Sequence, residues 1–136
     1  MACASRPAQS RPDLRVLVVE DEALLLFDLV DMLSTAGFAV VEAGADGEAM
    51  AVLHTNAMID ILITDIQLGG DQSGWDLAEA YRGIHPAGGV IYTSADAPLS
   101  TRQVPESVFL AKPVNMRVLI ETCHHLSGEG RGRHIG

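Results

Sequence analysis

Apolar and polar positions alternate along this chain with two different periods. Leu14 to Val19 is apolar apart from Arg15 and rich in β-branched residues, which predicts a strand buried on both faces. The period then changes. Leu26, Leu29, Val30 and Leu33 recur at i, i+3, i+4 and i+7, which predicts a helix from about Glu22 to Ala36. Gly37 stands where a helix stop belongs. Phe38 to Glu42 reads as a second strand, and Asp46 as the cap of a helix carrying Ala49, Val52 and Leu53 on one face. Ile59 to Thr64 is a third, almost wholly apolar strand. A Gly-rich loop leads to a helix from about Trp75 with Leu77, Ala80, Tyr81 and Ile84 on one face. Gly89 to Thr93 and Ser107 to Ala111 read as the fourth and fifth strands. Val114 to Leu126 reads as the last helix, with Leu119, Thr122, Cys123 and Leu126 inward.

Strands alternating with helices imply βαβ units, right-handed crossovers and a parallel sheet covered on both faces, an α/β fold. The pattern occupies residues 13–126 and predicts one domain. Residues 1–12, with two Arg-Pro pairs, and 127–136, rich in Gly, read as loose tails. In open sheets of this kind, ligands bind beyond the carboxyl ends of the strands. The strand ends are therefore where chemistry is sought.

Composition narrows the setting. A chain of 136 residues suits one domain and can bury a core without a disulfide. Of the two cysteines, Cys3 lies in a tail and Cys123 in a helix, so no disulfide framework is expected and a reducing cytoplasm is the simplest location. The net charge of −9 counts against nucleic acid and anionic membrane as partners. No apolar run approaches the roughly 20 residues of a membrane span, and the N-terminus lacks the apolar stretch of a secretion signal.

At the strand ends stand Glu20-Asp21-Glu22, Asp65, Thr93-Ser94, and Ala111-Lys112-Pro113, which contains the only lysine. Taken singly, each has a bland reading. An acidic residue after a strand often caps the next helix, and Lys-Pro is usually a turn. Their arrival together at one sheet edge is not explained by capping. Two carboxylates about 4 Å apart repel by about 4 kcal/mol at an effective dielectric near 20, so folding them together needs a raised pKa or a cation. The donors are all oxygens, with no Cys or His nearby, which selects Mg²⁺ over zinc. A carboxylate nucleophile beside Mg²⁺, a lysine and a hydroxyl suits phosphoryl transfer.

The stretches VLVVEDE (16–22), DILITDIQL (60–68), VIYTSAD (90–96) and FLAKPV (109–114) resemble the receiver domain of two-component response regulators, in order and at near-family spacing. The resemblance covers about residues 13–126. It implies a flavodoxin-like, doubly wound, five-stranded parallel sheet in the order 2-1-3-4-5. It also implies that Asp65 is the phosphoacceptor, Asp21 a direct Mg²⁺ ligand and Glu20 its partner through water. Gln67 would give a backbone carbonyl to the metal, and Ser94, followed by the small Ala95, would bind a phosphoryl oxygen. Lys112 would pair with the phosphoryl group ahead of a cis Lys112-Pro113 bond, and Phe109 would be the aromatic that switches rotamer with Ser94. The implied donor is a histidine kinase or histidine phosphotransfer protein, and the implied output is contact with a protein target. Catalysis would be limited to the chain's own phosphorylation and dephosphorylation.

Some positions depart from the family pattern. Gly69 replaces a usual proline, and the loop from Gly69 to Gly74 is one residue longer. The segment from Ser94 to Lys112 is several residues short and contains Pro98 and Pro105, so the helix after the fourth strand should be short, shifted or absent. Two other readings compete with this one. A haloacid-dehalogenase-type phosphatase would want a second Asp where Gln67 stands, and a cap insertion. A pseudo-receiver would bind partners without phosphorylation, against the intact acidic set. Gln67 and Asp96 are expected to flank the phosphoryl pocket and tune hydrolysis. His124-His125 reads as surface, Trp75 as packing, and Gly69-Gly70 lacks the context of a nucleotide loop.

Overall fold

The computed structural model of the chain describes residues 14–55, 57–96 and 101–129. The chain runs through β1 (Arg15–Val19), α1 (Ala23–Thr35), β2 (Ala39–Ala43), α2 (Asp46–Leu53), β3 (Ile61–Asp65), α3 (Gly74–Ile84), β4 (Gly89–Ser94), β5 (Val108–Ala111) and α4 (Met116–His124). The strands form one five-stranded sheet in the order β2-β1-β3-β4-β5, and every pairing is parallel. This is the doubly wound order that the resemblance implies.

The apolar run of β1 divides by parity, as a strand buried on both sides must. Leu17 and Val19 join Leu62, Val90 and Tyr92 under α2 and α3, where Ala49, Leu53, Leu77, Ala78 and Tyr81 are buried. Val16 and Val18 join Ile61, Ile63 and Ile91 on the other face, under Leu29 and Leu33 of α1 and Leu119 and Cys123 of α4. Full burial of each such aliphatic side chain contributes about 1.5–3 kcal/mol.

Local chemistry sets the element ends. Gly37 has φ +103°, the left-handed stop after α1. Ser73 and Asp76 form a reciprocal capping box at the start of α3. Asn115 accepts from the Val118 amide at 3.1 Å to open α4. Gly74 admits no side chain: a Cβ there would meet the Asp65 carbonyl and lie 2.8 Å from the Ile66 Cα. This lets α3 start directly beneath the end of β3.

Four expectations need correction. Asp46 does not cap α2; Ala45 is the N-cap residue, without a side-chain capping bond. Ile84, predicted inward, is 46% exposed, and Ala78 is buried in the α3 face instead. The third strand starts at Ile61 rather than Ile59 and ends on Asp65 itself. A π-helical turn over His125–Glu129 extends α4 into the stretch expected as a tail; residues 1–12 and 130–136 lie outside the described residues.

Among the described residues, no helix stands between β4 and β5. Pro98 lies outside them. The described part, 101–107, is a strap of turns. Arg102 holds it to α3, with Nη2 2.8 Å from both Asp76 Oδ1 and Glu79 Oε1. Further along, Val104 is buried, and its amide donates to the Tyr92 hydroxyl at 3.1 Å. The Tyr92 ring packs against Trp75 at 4.7 Å between centroids.

Candidate functional site

The parallel sheet places all five strand ends on one edge, and β1, β3 and β5 each deliver charge there. β1 and β3 are direct neighbours, so the residues that follow Val19 meet the end of β3. Oxygens of Glu20, Asp21 and Asp65 lie within 4.8 Å of one another. Glu20 is 1% exposed and Asp65 7%, while Asp21 is exposed. Lys112, just past β5, reaches back to this group. Its Nζ donates to Asp65 Oδ2 at 2.9 Å and lies 3.1 Å from Glu20 Oε1.

The backbone fixes each member. The Glu22 amide donates to Glu20 Oε2 at 3.1 Å, and the Gln67 amide donates to Asp65 Oδ1 at 3.2 Å. Ser94 closes β4 next to Asp65, whose register partner is Thr93. The Ser94 carbonyl accepts from the Lys112 amide at 2.9 Å, so the hydroxyl-bearing strand end tethers the lysine. The Ser94 hydroxyl accepts from the Asp96 amide at 3.1 Å. The Lys112–Pro113 peptide bond is cis. Phe109 is half-buried on β5 and packs against the cluster that contains Tyr92 and Val104.

Electrostatics reflect the crowding. Burial raises the Glu20 carboxyl above its ordinary value, against the pull of the Glu22 amide and Lys112. Burial opposes charge on Lys112, but its contacts with Asp65 and Glu20 outweigh it and raise its pKa. The Lys112–Glu20 contact is not aligned as a hydrogen bond, and buried Glu20 Oε1 has no aligned donor. Lys112 thus contacts two of the three clustered carboxylates, and Glu20 Oε1, although paired with it, receives no aligned hydrogen bond.

Comparison with known proteins decides the family. The model of the response regulator receiver domain matches residues 16–124. The chain belongs to the response regulator receiver family. The transcriptional regulatory protein PdtaR of Mycobacterium tuberculosis is 30% identical over 109 residues, 78% of this chain and 53% of that protein. The sensor histidine kinase RcsC of Salmonella typhimurium is 31% identical over 121 residues, 86% of this chain and 13% of that protein. The chain therefore spans about half of one curated relative and a small part of the other. A response regulator receiver protein from Sinorhizobium medicae is 33% identical, with a TM-score of 0.82 over 86% of this chain and 96% of that one.

Receiver domains are phosphorylated by histidine kinases and bind Mg²⁺, and they are not a classical enzyme family. In this receiver the acidic set, Lys112 and the end of β4 meet at one edge, as their strand-end positions imply. Two features escaped the sequence reading. One is the Arg102 clasp, which pairs residues with no local signal. The other is Asp46, whose Oδ2 accepts from the Gln72 amide of the β3–α3 loop at 2.9 Å. Here a signal was available: β2 ends on the same edge, so Asp46 belonged among the strand-end residues. Among the described residues, no helix is long and apolar enough to cross a membrane.

Proposed function

We propose that this receiver accepts a phosphoryl group on Asp65 in a Mg²⁺-dependent reaction and signals through protein–protein contacts. The observation that carries the reading is the meeting of three carboxylates within 4.8 Å with the Lys112 ammonium 2.9 Å from Asp65. Glu20, Asp21, Asp65 and the Gln67 carbonyl would hold the ion. The all-oxygen donor set of Glu20, Asp21 and Asp65 fits it. When bound, Mg²⁺ supplies neutralisation of phosphoryl oxygens in the transition state.

The chain's own groups do the rest. An Asp65 carboxylate oxygen attacks phosphorus, the donor's P–N bond breaks, and the bonding pair leaves with the imidazole nitrogen. Lys112 stays at the carboxylate and pairs with the incoming charge. Ser94 donates its hydroxyl hydrogen to a phosphoryl oxygen, while its oxygen can keep accepting from the Asp96 amide. Phe109, packed with the strap, carries the change outward as the switch residue. The donor is a histidine kinase or histidine phosphotransfer protein, the location is cytoplasmic, and the net charge of −9 favours a protein target over nucleic acid or membrane.

Incubation with acetyl phosphate and Mg²⁺ should yield an acid-stable, base-labile adduct on the wild type and none on Asp65→Asn. An adduct that forms equally on both would overturn the assignment. The absence of a helix among the described residues between β4 and β5 favours one variation, a readout by the strap that persists without phosphate. Partner binding that is equal for wild type and Asp65→Asn would establish that variation.

A further inference from the structure

The loop between β3 and α3 is fastened from outside by a residue that the proposed chemistry does not use. Asp46 opens α2, and its carboxylate bonds outside its own helix. Oδ2 accepts from the Gln72 amide at 2.9 Å, 26 positions along the chain. The same carboxylate lies against Gly70 so closely that a Cβ there would collide with Oδ1 and lie 2.7 Å from Cγ. Elsewhere the loop touches the site itself. The Gln67 amide holds Asp65 Oδ1, and a Cβ on Gly69 would lie 3.6 Å from Asp21 Oδ2. Gly69 has φ +75°, and Gly70 follows it. Two successive glycines give a backbone many alternatives, so its single course over the acidic pocket needs an anchor.

We propose that Asp46 is a positioning residue. By holding Gly70 and Gln72, it keeps the loop seated over Asp21 and Asp65. It thereby sets the Mg²⁺ affinity and the rate of phosphoryl acceptance while touching neither ion nor phosphoryl group. The proposal rests on the receiver reading above. Outer partners that orient metal ligands are typically worth about 10–100-fold in affinity or activity. The contact is a hydrogen bond to a backbone amide, so it needs an acceptor oxygen at this position and not a negative charge.

The test compares wild type with Asp46→Ala, Asp46→Asn, Gly70→Ala and the Asp46→Ala/Gly70→Ala double variant. Mg²⁺ is titrated by the fluorescence of Trp75, the only tryptophan, which borders the groove beside this loop. The initial rate of uptake from acetyl phosphate and the metal-free melting temperature are read in parallel. Asp46→Ala should weaken Mg²⁺ binding about tenfold and slow uptake at a fixed, subsaturating Mg²⁺ concentration, with little change in melting temperature. Asp46→Asn keeps an acceptor oxygen and should remain near wild type. Gly70→Ala should reproduce the defect by pushing the carboxylate aside. In the double variant the colliding carboxylate is gone, so its loss should match that of Asp46→Ala alone.

Wild-type Mg²⁺ affinity and uptake in Asp46→Ala would overturn the proposal. So would a defect in Asp46→Asn as large as in Asp46→Ala, or losses that add in the double variant. A wild type that binds no Mg²⁺ and takes up no phosphoryl group on Asp65 would instead overturn the receiver reading, and this proposal with it.

Discussion

Glu20 and Lys112 carry opposed demands. Glu20 is 1% exposed, and burial disfavours its charge, yet a cation site needs that charge. Replacing Glu20 by Gln removes the cost of burying a carboxylate near Asp65. The metal-free Glu20→Gln protein should therefore melt at a higher temperature than wild type. Mg²⁺ should raise the melting temperature of wild type and leave that of Glu20→Gln nearly unchanged. Calorimetry with and without Mg²⁺ checks both signs. These residues were legible in sequence because each directly follows an apolar run, so the parallel sheet dictates where it lands. The misaligned contact of Glu20 Oε1 with Lys112 was not legible, because it depends on the angle at which the side chain just past β5 arrives.

Elements were readable where their apolar period was unbroken and their boundary chemistry local. β1, α1 and the Gly37 stop are of this kind. The β4–β5 connection is not. Its short length and prolines argue against a helix, but nothing local says what takes the helix's place. The structure answers with contacts that are distant in sequence: Arg102 to Asp76 and Glu79, and the Val104 amide to the Tyr92 hydroxyl. Tyr92→Phe would leave that buried amide without its acceptor and should destabilise the protein by about 1–3 kcal/mol in urea unfolding. Hydrogen exchange should show lost protection at Val104 before the sheet amides exchange. Stability equal to wild type, with Val104 still protected, would count against the strap as a fastened element.

For the molecule as a whole, the buried titratable groups point one way. Burial pushes the Cys123 thiol up to about 12, and burial also raises the Tyr81 and Tyr92 hydroxyls. The native state holds these protons more tightly than the unfolded chain does. The stability they contribute is fully present below their ordinary values, 9.0 for the thiol and 10.0 for the phenols. It is lost as pH rises through the raised values. The urea midpoint should therefore fall progressively above about pH 9, and native Cys123 should resist thiol reagents until unfolding.

The parallel α/β architecture was legible because strand and helix periods alternate, while the strand order came from the receiver resemblance and not from the periods. The central proposal built on it is that Glu20, Asp21, Asp65, Ser94 and Lys112 serve one pocket. The most direct measurement is an amide NMR titration with a beryllium-fluoride phosphoryl mimic in Mg²⁺. The account predicts shifts at residues 20–22, 65–67, 94–96 and 112 that require both Mg²⁺ and the Asp65 carboxylate. Shifts confined to other surfaces, or shifts that persist in Asp65→Asn, would contradict it.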